Sequence, residues 1–168
     1  LVRDFVSIGF VCEQPMAIAV PTSLGVNTLG ELIDYVKKRP GEINVAVLSR
    51  GGVPHLTSEW IKLAAGLDWT SINYPGTPAG LSDVMGGRVS MMFVDILTGL
   101  PHVNGNALRA LAVTTKDRSP LVPNLPSMQE AGVPDFDISS WQGYFGPAGM
   151  PKEIVTRLNA EIRKIVEK

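Results

Sequence analysis

The middle of this chain repeats one pattern: a short buried-type run, a turn, then a helical stretch. In chain order the strand-type runs are INVAVL (43–48), WTSINY (69–74), VSMMFV (89–94) and ALRALAV (107–113), all but WTSINY reading as continuous apolar runs. Apolar runs without polar alternation are what strands buried on both faces look like. SRGGVPH leads from the first run into a helix over 54–65, which Gly66 stops. The loop PGTPAG leads from the second run into a short helix over 80–85. Strands alternating with helices of this length specify βαβ units and a mainly parallel sheet, with helices laid on both faces by right-handed crossovers.

The flanks are less regular. Residues 6–20, VSIGFVCEQPMAIAV, read as two β-rich runs separated by Glu13-Gln14-Pro15, and Pro21 ends the second. In TLGELIDYVKKRPG, Thr28 and Glu31 form a capping box. Leu29, Leu32, Ile33 and Val36 recur at helical spacing, and Pro40-Gly41 ends the helix. Beyond Thr115, KDRSPLVPNLPSMQEAGVPDFD carries four prolines and reads as a stiff extended segment with one helical turn at 127–131. ISSWQGYFGPAGMP is β-like and aromatic. The last helix starts with Pro151 in its first turn and carries Ile154, Val155, Leu158, Ile162, Ile165 and Val166 on one face.

Composition excludes several classes. Fifteen basic against sixteen acidic residues leave no basic stripe, so no nucleic-acid partner is expected. One cysteine and two histidines exclude an internal disulfide framework and a structural zinc site. No apolar run approaches the roughly 18 residues of a bilayer span. Hydrophobic residues make up 45% and charged residues only 18%, which argues against disorder. That apolar surplus, with Leu at position 1 and no basic-then-apolar leader, gives the expectation that a leader was removed or that the chain is a piece of something longer.

Three loops at the strand ends carry the candidate chemistry. In the first, Ser49, Arg50, Gly51 and Gly52 precede a helix whose first turn holds His55. A glycine pair there lets backbone amides line a concavity at a helix N-terminus, where a carboxylate or phosphate binds, and Arg50 adds charge. In the second, Tyr74, Gly76 and Thr77 combine a permissive backbone with a hydroxyl; Thr77 reads equally as an N-cap or a ligand contact. In the third, Asp95 follows its strand directly, as an N-cap or as an acceptor for an amine or hydroxyl. Ligands of open α/β sheets bind at such carboxyl ends. Trp141, in an irregular stretch, is placed to line a cleft. Trp60 and Cys12 read as core residues, His55 as a structural hydrogen-bonder and His102 as a surface loop residue. No nucleophile–base pair, GxSxG, GxxxxGK[ST] or GxGxxG occurs, and neither a cofactor nor a metal is expected.

The stretches TLGELIDYVKKRPGEIN, GGVPHLTSEWIKLAAG, INYPGTPAGLSDVMGGRVSMMF, ALRALAVTTKDRSPLVPNLPSMQEAGVPDF and WQGYFGPAGMPKEIVTRLNAEI, in unbroken order, resemble the tripartite tricarboxylate transporter substrate-binding proteins, the Bug family of periplasmic solute receptors. The resemblance implies an α/β, periplasmic-binding-protein type II-like fold: one mainly parallel-sheet lobe, residues 22–140, plus a partial second lobe. In that reading 1–21 and 141–168 are crossover segments and a helix of the incomplete other lobe, with hinges at 17–21 and 139–145. It also implies an extracytoplasmic receptor that binds a small carboxylate in the cleft and hands it to membrane permease subunits. Family members are considerably longer. A homodimer of the fragment is a further assembly to weigh, and a ligand-sensing domain of a regulator with the same fold is the alternative function.

Carried over by position, the family's Gly-rich loop falls on Ser49 to Gly52, with His55-Leu56 matching. The chain departs from the pattern at Ala46, Val47 and Leu48, where glycine and small polar residues are usual, and at Gly52, which replaces a hydroxyl residue. Tyr74 and Gly76 match the family's second loop, but Pro75 replaces its basic residue. Ser90 stands where Asp is frequent, whereas Asp95 remains. A missing hydroxyl and a missing cation imply a different ligand or a weakened site.

Overall fold

The computed structural model describes residues 3–167, and the chain divides into two compact units. The larger, Pro15–Ser140, is built on five strands. They are the second half of β1 (Phe5–Pro21), then β2 (Asn44–Leu48), β3 (Thr70–Tyr74), β4 (Met91–Asp95) and β5 (Leu108–Val113). Their order across the sheet is β3-β2-β4-β1-β5. β2 is parallel to both β3 and β4, while β1 is antiparallel to both β4 and β5. Four of the five strands therefore point the same way, as the βαβ pattern specifies, with β1 inserted in reverse between β4 and β5.

Helices α1 (Leu29–Lys37), α2 (Val53–Ala65), α3 (Thr77–Met85) and α4 (Ile96–Asn104) connect these strands. Alternation splits the sheet's side chains into two cores. Met16, Ile18, Val20, Val45, Val47, Met91 and Phe93 pack with Leu29, Leu32 and Val36 of α1 and Ile61 of α2. Ala19, Ala46, Met92 and Val94 face the other way, with Leu81 and Val84 of α3. Each larger side chain buried here contributes about 1.5–3 kcal/mol. Thr28 caps α1 as expected, its Oγ1 accepting from the Glu31 amide at 3.1 Å, but the return bond passes the cap: Glu31 accepts from the Asn27 amide at 2.7 Å rather than from that of Thr28.

Several local expectations change. β1 is one strand through Pro15 rather than two runs. Proline has no N–H for a ladder, and it stands where the strand passes from one unit's pairing to the other's, with Met16 the first residue opposite β4. The larger unit accordingly starts seven residues before the 22–140 span read from the sequence. Trp60 is not core but 45% exposed, its ring 5.0 Å from that of Phe136. The buried face of α2 instead holds Thr57, Ser58 and Ile61. Both hydroxyls are satisfied there, Thr57 donating to the Val53 carbonyl and Ser58 accepting from the Trp69 indole. His102 lies half-buried in the last turn of α4 rather than in a surface loop, and Cys12 is half-buried rather than core.

The smaller unit comprises the described residues of Leu1–Gln14 and Trp141–Lys168. Within it the first half of β1 pairs with β6 (Ser139–Pro147). Helix α5 (Lys152–Val166) is pinned by Asn159, whose amide donates to the Ile8 carbonyl at 2.6 Å. The apolar face of α5 is real but uncovered: none of its residues is buried, and Ile165 is 74% exposed.

Candidate functional site

The carboxyl ends of β2, β3, β4 and β5 share one edge of the larger unit's sheet, so the loops after Leu48, Tyr74 and Asp95 open on the same side. Thr114 also stands there. Fully buried, its hydroxyl accepts from the Met16 amide at 3.1 Å and donates to the Ile138 carbonyl at 2.7 Å. Both places where the chain leaves this unit are thus tied to that edge.

The loop Ser49–Gly52 is tightly wound. Ser49 (φ 54°) and Gly51 (φ 84°) are both left-handed, a conformation that costs a non-glycine residue about 1–2 kcal/mol. Gly52 is required for closeness instead: a Cβ there would meet the Ser49 carbonyl oxygen at 3.0 Å. The loop's amides are partly spent within the chain. Gly52 donates to the Ser49 carbonyl at 2.7 Å, and Gly51 donates to His55 Nδ1 at 3.1 Å. His55 is therefore the structural hydrogen-bonder its position predicts. In its neutral form its proton sits on Nε2, 4.0 Å from Glu59 Oε1. The amide cradle expected of the glycine pair is narrower than its sequence implies, and Arg50 is the exposed charge left at the start of α2.

Arg50 and His55 line a hollow of ≈ 690 Å³ with Val47, Glu59, Ser71 and Asn73. That size is in the range of about 300–1,000 Å³ typical of small-molecule sites. Glu59 accepts from the Ser71 hydroxyl at 2.9 Å. Glu59, Ser71 and Asn73 were not singled out in the sequence, although the signals exist. His55 and Glu59 are four apart on a helix, and Ser71 and Asn73 share one face of β3 beside Val45 and Val47. A second hollow, ≈ 440 Å³, lies on the opposite face among Ala17, Ala19, Val94, Leu100, Val103 and Leu121. No charged side chain lines it.

The second loop departs from expectation. Tyr74 belongs to the α3 face, where its hydroxyl donates to Asp83 at 2.6 Å and Arg88 holds the same carboxylate. Burial, then the bond to Asp83, holds the Tyr74 phenol above its usual value. The bonds from Tyr74 and Arg88 hold Asp83 below its own. The Tyr74 hydroxyl is thus committed inside the fold. Gly76 does not use glycine's freedom: at φ −176° it is ordinary extended backbone, and it is the N-cap of α3. Thr77 is the helix's first residue rather than its cap, since α3 begins three residues before the expected 80.

Asp95 occupies the N-cap position of α4, yet its side chain accepts no bond from the helix amides. Its carboxylate has no hydrogen-bond or ion-pair partner among the described residues, and burial pushes its pKa above the usual aspartate value. Alternation along β4 gives it the face of Met91 and Phe93, which is the α2 side of the sheet. Trp141 belongs to the smaller unit, 55% exposed on β6 with its ring 6.1 Å from that of Phe145. Among the described residues no group of three or more His, Cys, Asp or Glu is arranged to hold a metal ion, and no helix is long and apolar enough to cross a membrane.

This architecture has close counterparts. An adipate-bound structure, R. palustris Rpa4515, superposes with a TM-score of 0.92 at 34% identity, covering 96% of this chain and 54% of that one. MatC (Rpa3494) from Rhodopseudomonas palustris, with bound malate, gives 0.91 at 27% identity, covering 98% and 56%. Protein BugT of Bordetella pertussis is 31% identical over 167 residues, 99% of this chain and 51% of its own length. The chain spans about half the length of the curated relatives it matches. The sequence profile described as tripartite tricarboxylate transporter family receptor (TctC) matches residues 1–168, and the chain belongs to that family.

Proposed function

We propose that this protein is a periplasmic solute receptor, not an enzyme, that binds a small organic carboxylate for uptake by the membrane subunits of a tripartite tricarboxylate-type transporter. One observation carries the reading: Arg50 and the start of α2 stand at the mouth of a polar hollow, at the sheet edge where the loops after β2, β3 and β4 converge. The adipate and malate named with two related structures support a carboxylate as the ligand class. The anion belongs at the loop end of the hollow, beside Arg50. Glu59 lies one helical turn further along α2, about 6 Å from His55 along the axis, and repels a carboxylate placed deeper.

Magnitudes decide how much of the binding this edge supplies. A helix N-terminus contributes typically 0.3–1 kcal/mol to an exposed anion, and a hydrogen bond to a charged group about 1.5–3 kcal/mol. Micromolar affinity needs about 8.2 kcal/mol. This edge therefore contributes a minority, and the remaining contacts come from elsewhere in a full-length receptor. Calorimetry on the full-length protein with a panel of mono-, di- and tricarboxylates tests the proposal. Binding at micromolar affinity or tighter is the expected result, with Arg50→Gln weakening it about tenfold. Absence of heat with every member of the panel overturns it.

A further inference from the structure

Resting on the receptor reading, we infer that Asp95 is a specificity residue: the solute carries, besides its carboxylate, a hydrogen-bond donor (a hydroxyl or an ammonium group) that the Asp95 carboxylate accepts. Asp95 ends β4 in the position of an N-cap, where an aspartate ordinarily takes an amide of the helix it starts. Here the backbone leaves β4 at φ −57°, ψ 135°, and the side chain takes no α4 amide. No other described residue supplies a donor.

The Asp95 carboxylate gives up part of its hydration to burial without taking a bond from the chain, and, since no buried side-chain polar atom among the described residues lacks a partner, its oxygens remain open to solvent and to a solute. The other half-buried carboxylates of this unit show the contrast: Asp83 is held by Tyr74 and Arg88, and Glu59 by Ser71, whereas the unit's unpaired Asp34, Glu42 and Asp135 are exposed. Asp95 is unlike them, and it stands at the binding edge rather than on a remote surface. Met16 is its cross-strand partner, and the α2 side of the sheet, which also carries Val47 of the hollow, is its face.

The chemistry follows from sign. A carboxylate repels a second carboxylate, so Asp95 does not hold the solute's anionic end, which Arg50 and α2 attract. What Asp95 accepts is an O–H or N–H on the same solute. A dicarboxylate lacking such a donor buries Asp95 with its acceptors unpaired, and that is the source of discrimination.

The test is calorimetry on the full-length protein with matched sets: succinate, malate and aspartate; glutarate, 2-hydroxyglutarate and glutamate; adipate and 2-aminoadipate. The wild type is expected to bind at least one hydroxy or amino member about tenfold or more tightly than its unsubstituted counterpart. Asp95→Leu is expected to erase that preference by weakening the hydroxy or amino member and tightening the unsubstituted acid, which no longer leaves a carboxylate unpaired beneath it. Equal affinity across every set in the wild type overturns the inference and leaves the carboxylate receptor standing. Equal weakening of all members by Asp95→Leu, with the variant's thermal transition intact, also overturns it. No binding by any member overturns the inference and the receptor reading together.

Discussion

Replacing Thr114 by valine removes one hydroxyl from the point where β1, β5 and the segment before β6 are stitched together. That oxygen accepts from the Met16 amide and donates to the Ile138 carbonyl, and Thr114 is completely buried. Valine keeps the β-branched shape, so no cavity forms. The cost is the orphaned backbone. Met16 is 1% exposed, and its N–H loses the side-chain partner with no route to water. A buried unsatisfied group costs about 1–3 kcal/mol. Ile138 is half-buried, so water recovers part of its loss. Together the change is expected to cost about 2–4 kcal/mol, a sizeable share of the 5–15 kcal/mol that holds a typical domain. At about 2–4 °C per kcal/mol for a chain of this size, the melting temperature falls by roughly 4–16 °C. Urea denaturation followed by tryptophan fluorescence measures it, with Thr114→Ser as the comparison that keeps the oxygen and loses only a methyl. A valine variant within 0.5 kcal/mol of wild type, or no less stable than the serine variant, would refute the accounting of these backbone groups.

Tyr74→Phe is expected to leave solute affinity within about twofold of wild type in calorimetry, because its hydroxyl serves Asp83, and to lower stability by about 0.5–1.5 kcal/mol. Gly99→Ala places a Cβ 2.8 Å from Val94 Cγ1, so α4 must shift off β4; a loss of about 1–3 kcal/mol is expected in chemical denaturation. Asp95→Asn is expected to raise the melting temperature at pH 7 and to leave it unchanged near pH 3. Burial raises the folded-state pKa of Asp95, so the charged form is disfavoured in the fold. The stability is whole below the ordinary aspartate pKa and is lost as pH rises through the raised one. A melting-temperature difference that grows towards acid would contradict that assignment.

How far the chain could be read from its letters varied with the range of the interaction involved. Val45, Ala46 and Val47 declared a strand buried on both faces, Thr28 and Glu31 declared a helix start, and Gly66 its end at φ 61°; all are local effects. The direction of β1 is not local. Nothing in MAIAV says whether it runs with or against β4, because that depends on where the chain has been before. Pro15 misled for the same reason: its propensity breaks a strand, but a change of partner at that residue removes the need for its N–H. The site loops were visible as Gly-bearing turns, while side-chain parity was not. One residue's difference along β3 gives Asn73 to the hollow and Tyr74 to the opposite face. Glu59 was hidden because a helix face holding Thr57 and Ser58 does not look like the buried one.

β1 also bears on which sequence changes this fold accepts. It is one extended segment that trades neighbours at Pro15, and side chains along it alternate without interruption. Point substitutions leave that alternation alone, whereas adding or deleting a single residue within the stretch paired to β4 would turn Met16, Ile18 and Val20 from one face of the larger unit's sheet towards the other, where Ala17 and Ala19 stand. In this stretch the fold is more sensitive to length than to side-chain identity.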